Sequence, residues 1–237
     1  MPGVSVVIPA RNEEAYIGAA LDAVFAQDPP PDEVIVVDNG SEDRTAEIAR
    51  EKGARVISEP EKGVHRARQA GLLAARHPIV AQTDADTRVL PGWIASIQRA
   101  FEDPEVVASY GPVELYEAPL FDRLLARYLF PAFLRLSALL GQPNLNGANH
   151  AVRRDAALAV GGYDRPYAED VHLARKLAAA GGKIVYQTRQ RVATSGRRLK
   201  RGRLAFYGVH AKNVVRRLLG LPEHYGPDYF ADREQPR

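Results

Sequence analysis

Three short stretches of this 237-residue chain carry carboxylates at spacings that could do chemistry. Asp84-Ala85-Asp86 follows the apolar run Pro78 to Gln82. In an extended or turning backbone, carboxylates two apart can face one ligand, one directly and the other through a divalent cation. Mg²⁺ and Mn²⁺ prefer oxygen ligands and share them with phosphates. An Asx-type turn closing a strand would use the same residues. Asp38 precedes Asn39-Gly40-Ser41, where a carboxylate could accept hydrogen bonds from a ribose hydroxyl or a base N–H. Ordinary turn chemistry explains that stretch too, with Ser41 capping the next helix. Glu169-Asp170 opens a helical pattern running to about Ala180. Asp170 shares a face with Leu173, Ala174 and Leu177, so it is expected to look inward, whereas Glu169 shares its face with His172 and Lys176 and is expected to be more solvated. A partly desolvated carboxylate has a raised pKa, which suits a general base acting on a hydroxyl. The alternative is a helix N-terminus stabilised by an acidic cap.

The cations are unevenly spread. Lys62-Gly63, Arg66 and Arg68 open a helical pattern, an arrangement that suits a diphosphate at a helix N-terminus or simply a solvated helix start. Arg197, Arg198, Lys200, Arg201 and Arg203 crowd one stretch, followed by Lys212, Arg216 and Arg217, within a net charge of only +3. Such a cluster suits phosphates or anionic headgroups, with Arg197 and Arg198 as candidate diphosphate contacts, or else it forms a solvated basic face. Few aromatics interleave with it, so nucleic acid is not an expected partner. His65, His77, His150, His172, His210 and His224 show no metal spacing, although His210 beside the basic stretch could complete a metal shell. There is no cysteine, which excludes a thiol nucleophile and a disulfide scaffold. No Gly-x-Ser-x-Gly elbow, dinucleotide Gly-x-Gly-x-x-Gly or Walker loop occurs.

The elements that must position these residues alternate in type. Strands are expected at Val4 to Ile8, Glu33 to Val37, Ala54 to Ile57 and Pro78 to Gln82. Helices are expected at about Glu13 to Ala26, Asp43 to Lys52 and Val64 to Ala75. Continuous apolar strands separated by amphipathic helices imply a mostly parallel sheet with helices on both faces, an α/β doubly wound domain. Ligands bind beyond the carboxyl ends of such strands, where Asp38, Asp84 and Asp86 fall. Leu120 to Leu140 has helical spacing that Pro131 should kink or break. Arg123, Arg127 and Arg135 on its polar face fit a membrane-surface helix, while a core-facing helix explains the pattern with fewer assumptions. The N-terminal apolar run is too short for a signal peptide, and no stretch of about 18 apolar residues is present. A cytoplasmic protein, either soluble or peripheral at the inner face of a membrane, is the expectation.

Taken in order, Val-Ile-Pro-Ala-Arg-Asn-Glu-Glu, Val-Val-Asp-Asn-Gly-Ser-Glu-Asp-Arg-Thr, Lys-Gly-Val-His-Arg-Ala-Arg-Gln-Ala-Gly, Asp-Ala-Asp, Asn-Gly-Ala-Asn and Glu-Asp before a helix make the chain resemble the family 2 glycosyltransferases of the inverting GT-A fold. The likeness spans about Val4 to Gly182. It implies a catalytic domain over 1–195, with a donor-binding half to about 110, an acceptor half beyond it and a basic helical tail over 196–237. It implies that Pro9, Ala10, Arg11, Glu13, Asp38 and Arg68 surround the nucleoside of an activated sugar, UDP- or GDP-linked as first guesses. Asp84, Ala85 and Asp86 would handle ribose, diphosphate and metal (Mn²⁺ or Mg²⁺), with Asp86 the direct ligand. Asp170 would be the catalytic base. Asn146, Gly147, Ala148, Asn149 and Glu169 would line the sugar and acceptor pocket. The acceptor class is left open among lipid-linked, saccharide and small-molecule hydroxyls or phosphates. The Gln-x-x-Arg-Trp motif of processive synthases is absent, and the lone Trp93 lies elsewhere, so single addition is expected. A nucleotidyltransferase and a non-catalytic nucleotide-sugar-binding protein are the alternatives.

Overall fold

The computed structural model describes residues 1–139, 145–197 and, beyond them, 199, 208, 209, 212, 213 and 216. Arg198 and His210 therefore lie outside the described residues, as does most of the expected basic tail.

The expected alternation is present. Strand β1 (Val4–Ala10) is buried along its whole length, and its side chains divide by parity: Val4, Val6 and Ile8 join one apolar core, Val7 the other. Strand β2 (Glu33–Asp38) divides likewise, Val34 and Val36 against Ile35 and Val37. A strand apolar on both faces needs cover on both, which is why the intervening segments are amphipathic. These are α1 (Ile17–Phe25), α2 (Thr45–Glu51) after β2, and α3 (Val64–Ala74) after β3 (Arg55–Ser58). Helix α3 lies so close to β1 that a Cβ on Gly71 would fall 2.2 Å from Val7, so glycine is required there by proximity.

Strand β4 (Ile79–Gln82) follows, then β5 (Thr87–Val89), α4 (Trp93–Ala100), β6 (Val106–Tyr110) and β7 (Val113–Tyr116). After a long helical segment come β8 (His150–Arg153), α7 (Arg154–Ala159), α8 (Glu169–Ala179), β9 (Lys183–Tyr186) and β10 (Val192–Ser195). The main sheet has seven strands in the order β3-β2-β1-β4-β8-β6-β9. Its pairings are parallel except at β8, which runs antiparallel to both β4 and β6. A second sheet, β5-β10-β7, extends from the end of Asp84-Ala85-Asp86.

The segment from Leu120 is interrupted, as its proline predicts. Helix α5 (Leu120–Leu124) passes into a π-helical turn, Leu125–Leu129, where Phe130 N–H bonds back to Leu125 O, and then into α6 (Phe130–Leu139). Pro131 has no N–H to offer to Arg127, and the widened turn absorbs that missing bond. No helix among the described residues is long and apolar enough to cross a membrane.

Candidate active site

Strand ends β1, β2 and β4 deliver the site. Pro9 and Ala10 are buried at the last positions of β1, with Ala10 O receiving Asn39 N–H at 2.9 Å. The two loops that follow are fastened together: Asn12 N–H donates to Ser41 Oγ at 3.1 Å, Glu13 N–H to Thr45 Oγ1 at 2.7 Å, and Glu42 N–H to Asn12 Oδ1 at 2.8 Å. Asp38 is half-buried, and its Oδ1 accepts Ser41 N–H at 3.1 Å, so turn chemistry is realised here. Asn39 is buried and serves the next loop, donating to Glu59 O and Glu61 O and accepting from Gly63 N–H, each at 2.8 Å. Those bonds set the start of α3 and thereby the position of Arg68.

Arg68 organises the centre. It is 2% exposed, and its guanidinium donates to Asp84 Oδ1 at 2.7 Å and to Glu169 Oε1 at 3.1 Å. Burial opposes its charge, but Asp84 and then Glu169 more than compensate and raise its pKa. Glu169 is buried, not solvated as the helical wheel predicts, because Arg68 draws it inward from outside its own helix. Asp170 looks into the same centre. Burial, then the adjacent Glu169 charge, lift its carboxyl to about 7, against the pull of Arg68 and of N–H donors from Val171 and Gly147. Gly147 lies directly against Arg68: a Cβ there would meet Arg68 Nη2 at 2.7 Å and Asp170 Oδ2 at 3.5 Å.

Asp86 sits 8% exposed beside Asp84 and the buried Ala85. Arg197 bonds Asp86 Oδ2 at 3.0 Å and forms a close pair with Glu13, while its guanidinium lies 4.7 Å from the Tyr16 ring centroid. Tyr116 O–H donates to Asp86 O at 2.9 Å; burial and the nearby Asp86 push that hydroxyl up to about 12, so it remains a donor. Burial likewise raises Glu13, with Arg197 opposing. Arg11 Nε, Glu13 Oε2 and Thr83 Oγ1 on this rim are buried without a hydrogen-bond partner, the condition of groups that a ligand completes.

This donor set fits a hard divalent cation. Oxygen ligands prevail, and among the described residues no group of three or more His, Cys, Asp or Glu could hold a metal alone. A cation here would complete its shell with water and substrate phosphate oxygens, which is how Mg²⁺ and Mn²⁺ commonly bind.

The Asn146–Asn149 segment is tied down behind the carboxylates. His150 is fully buried, with Nδ1 at 2.8 Å from Asn146 O and Nε2 at 2.6 Å from Tyr163 Oη. Burial, aided by Arg68, lowers it to about 3, so the ring is neutral. The carbonyl can only accept, so Nδ1 carries the proton and Nε2 accepts from Tyr163. Ala148 is buried at 6% exposure. Asn149 is fully buried and away from the cleft: its Oδ1 accepts Trp93 Nε1–H at 2.8 Å, and its Nδ2 donates to Pro112 O at 3.0 Å and Gln190 O at 2.7 Å. Asn149→Ala is expected to cost about 1–3 kcal/mol for each buried group it leaves without a partner, read by urea denaturation, with donor affinity retained at low temperature. Loss of affinity with unchanged stability would make Asn149 a contact residue instead.

The structure thus joins Arg68, Asp84, Glu169, Asp170 and Gly147 in one cluster, and Glu13, Asp86 and Arg197 in a second beside it. His150, Tyr163, Tyr16 and Tyr116 carry no pattern in the sequence that separates them from core aromatics or a scattered histidine.

A seven-stranded mixed sheet with an Asp-Ala-Asp turn leading into a small second sheet is the architecture of the GT-A fold. The architecture is similar to that of a mannosyltransferase from Pyrobaculum calidifontis solved with GDP-Man and Mn²⁺, with a TM-score of 0.69 and 26% identity, covering 98% of this chain and 68% of that one. It is also similar to glucosyl-3-phosphoglycerate synthase from Mycobacterium tuberculosis in complex with Mn²⁺, UDP and glucosyl-3-phosphoglycerate, with a TM-score of 0.62, 25% identity and coverage of 93% and 81%. An uncharacterized glycosyltransferase of Mycobacterium tuberculosis is 34% identical over 186 residues, 77% of this chain and 82% of its own. The glycosyl transferase family 2 model matches residues 5–161. The chain belongs to glycosyl transferase family 2, and it is an enzyme of the transferase class.

Proposed function

We propose that the enzyme moves one sugar at a time from a nucleoside diphosphate sugar to a hydroxyl or phosphate oxygen, with inversion at the anomeric carbon. The observation that carries this reading is the single buried Arg68 linking Asp84, on the donor side, to the Glu169-Asp170 pair. In this reading residues to about 110 hold the donor and 111–195 shape the acceptor side. Pro9, Ala10, Arg11, Glu13 and Asp38 form the nucleoside wall, with Arg68 as a positioning residue behind it. Asn146, Gly147 and Ala148 border the transferred sugar.

Asp170 takes the proton from the acceptor O–H. The acceptor oxygen then forms its bond to the anomeric carbon as the bond to the diphosphate oxygen breaks, and the nucleoside diphosphate leaves with the electron pair. Asp86, with Asp84, would hold the cation, which supplies electrostatic stabilisation of negative charge on the departing diphosphate. Arg197, which pairs with Asp86 and Glu13, would transfer its bonds to a diphosphate oxygen. Both structural neighbours were solved with Mn²⁺ and a guanosine or uridine diphosphate species, which supports those donors and that metal.

A thermal-shift screen of UDP- and GDP-sugars, each with and without Mn²⁺ or Mg²⁺, tests the donor side. A stabilised protein is expected only with donor and cation together, and Asp86→Ala should lose that joint effect. A shift that is equal without cation would remove the metal role. Pyrophosphate release from a nucleoside triphosphate and a sugar phosphate would replace sugar transfer by nucleotidyl transfer.

A further inference from the structure

The helical segment α5, π-turn and α6 departs from the core-facing role that its spacing favours. Its inner side is well packed: Leu134 is fully buried, Phe130 and Phe133 pack against the core cluster of Tyr110 and Tyr186, and Arg135 lies 5.4 Å from the Tyr186 ring centroid. The outer side is not polar. Leu120, Phe121, Leu124, Tyr128, Leu129 and Leu136 are between 46% and 68% exposed. Leu120, Leu124, Tyr128 and Leu136 stand at multiples of four residues, so they form a stripe along the helix.

The charges flanking the stripe have one sign. Arg123, Arg127 and Arg135 are exposed, whereas Asp122, the sole carboxylate of Leu120–Leu139, is fully buried. Leucines and aromatics beside arginines, with no outward carboxylate, match an interfacial helix on an anionic bilayer. The stretch Arg197–Arg217 carries eight arginines and lysines and no carboxylate, so it adds charge of the same sign as the helix. Beside Tyr128, a depression of about 180 Å³ is bordered by Arg127, Arg135 and Arg191 together with Glu114, which pairs with Arg191, so Arg127 and Arg135 are the two cations there that suit a phosphate headgroup.

The segment also begins at the cleft. Just before it, Tyr116 bonds Asp86 O, and Glu117 Oε2 accepts the Ser195 hydroxyl at 3.1 Å. Just after it, the chain returns through Asn146 and Gly147 to Arg68 and Asp170.

We propose that Leu120–Leu139 docks the enzyme on an anionic membrane surface, its apolar stripe in the headgroup layer, so that the cleft opens toward a lipid-borne acceptor. The acceptor clause rests on the sugar-transfer reading; the docking does not.

Vesicle flotation with neutral phosphatidylcholine and with added phosphatidylglycerol is the test. The full chain is expected to float with anionic vesicles and less with neutral ones, and the preference should fall in high salt. Leu124→Glu/Tyr128→Glu should bind at least about tenfold more weakly, and Arg123→Glu/Arg127→Glu should lose most of the anionic preference. Both pairs are exposed, so circular dichroism and the donor-induced thermal shift should stay unchanged, which separates docking from donor binding. Absence of flotation overturns the proposal, as does Leu124→Glu/Tyr128→Glu floating like the parent, which would assign binding to the basic stretch. So does a concentration-dependent dimer that the same variant dissolves, which would make the stripe a contact between copies. Docking together with equal transfer to soluble and vesicle-borne acceptors would overturn the acceptor clause alone.

Discussion

Asp170→Asn is expected to lower turnover by about 10²–10⁴-fold, the usual contribution of a positioned general base, while donor affinity is unchanged. Because burial and Glu169 raise the carboxyl to about 7, the parent should also lose rate as pH falls below that value. The same shift has a stability consequence with a definite sign. A carboxyl whose folded pKa lies above its unfolded value binds its proton more tightly in the native state. Its contribution to stability is therefore fully present below the unfolded value near 3.8 and is lost as pH rises through about 7. An amide carries no charge to desolvate. At pH 8 the variant should melt higher than the parent, and the gap should close toward pH 4. Transfer at the parent rate would remove Asp170 from the chemistry. A lower melting temperature for the variant at pH 8 would instead show that the ionised carboxylate is well accommodated.

Much of the N-terminal half of this fold is legible in the sequence, for a physical reason. Runs such as Val4 to Ile8 and Glu33 to Val37 are β-branched, short and closed by Pro9 or Asp38, and each is buried on both faces, so strand identity does not depend on distant partners. The second half depends on such partners. Thr87–Val89 and Val192–Ser195 become strands because they pair across a separation of about 105 residues, and His150–Arg153 runs against its neighbours. Nothing in their local spacing announces either arrangement.

The site shows the same divide. Asp84, Asp86 and Asp170 stand out because carboxylates at strand ends and helix starts are conspicuous. A wheel drawn around one helix turns Glu169 toward solvent, because it has no place for Arg68 arriving from 101 positions away. Asn149 is similar. Its neighbours in sequence border the cleft, but its own partners, Trp93 and Gln190, lie 56 and 41 positions distant and pull it into the core. Burial of a polar group is decided by the partner that satisfies it, and a linear pattern does not display that partner.

Arg68→Met should produce the largest loss of stability of any change at the centre, about 3–5 kcal/mol, because it leaves the Glu169 carboxylate buried and Asp84 without its close cation. In a domain of this size that corresponds to a fall on the order of 10 °C in Tm. Activity should fail through a separate route. Arg68 holds the Asp170 carboxyl down against burial, so its loss should move the acid limb of the rate profile to higher pH. Lysine at this position keeps one charge but lacks the planar fork that reaches Asp84 and Glu169 together, so Arg68→Lys should be intermediate in stability. The decisive comparison is Arg68→Met/Glu169→Gln. Removing the stranded buried charge should restore much of the lost stability, and because the Glu169 charge that raises Asp170 goes with it, the acid limb should return to the parent's position or below it. If Arg68→Met costs less than about 1 kcal/mol, the value of an exposed ion pair, the cluster is wetter than its geometry implies. An Arg68→Met variant with the parent's acid limb would mean that Arg68 supports the fold without tuning the base, and a double variant whose limb stays as displaced as that of Arg68→Met would remove Glu169 from the tuning.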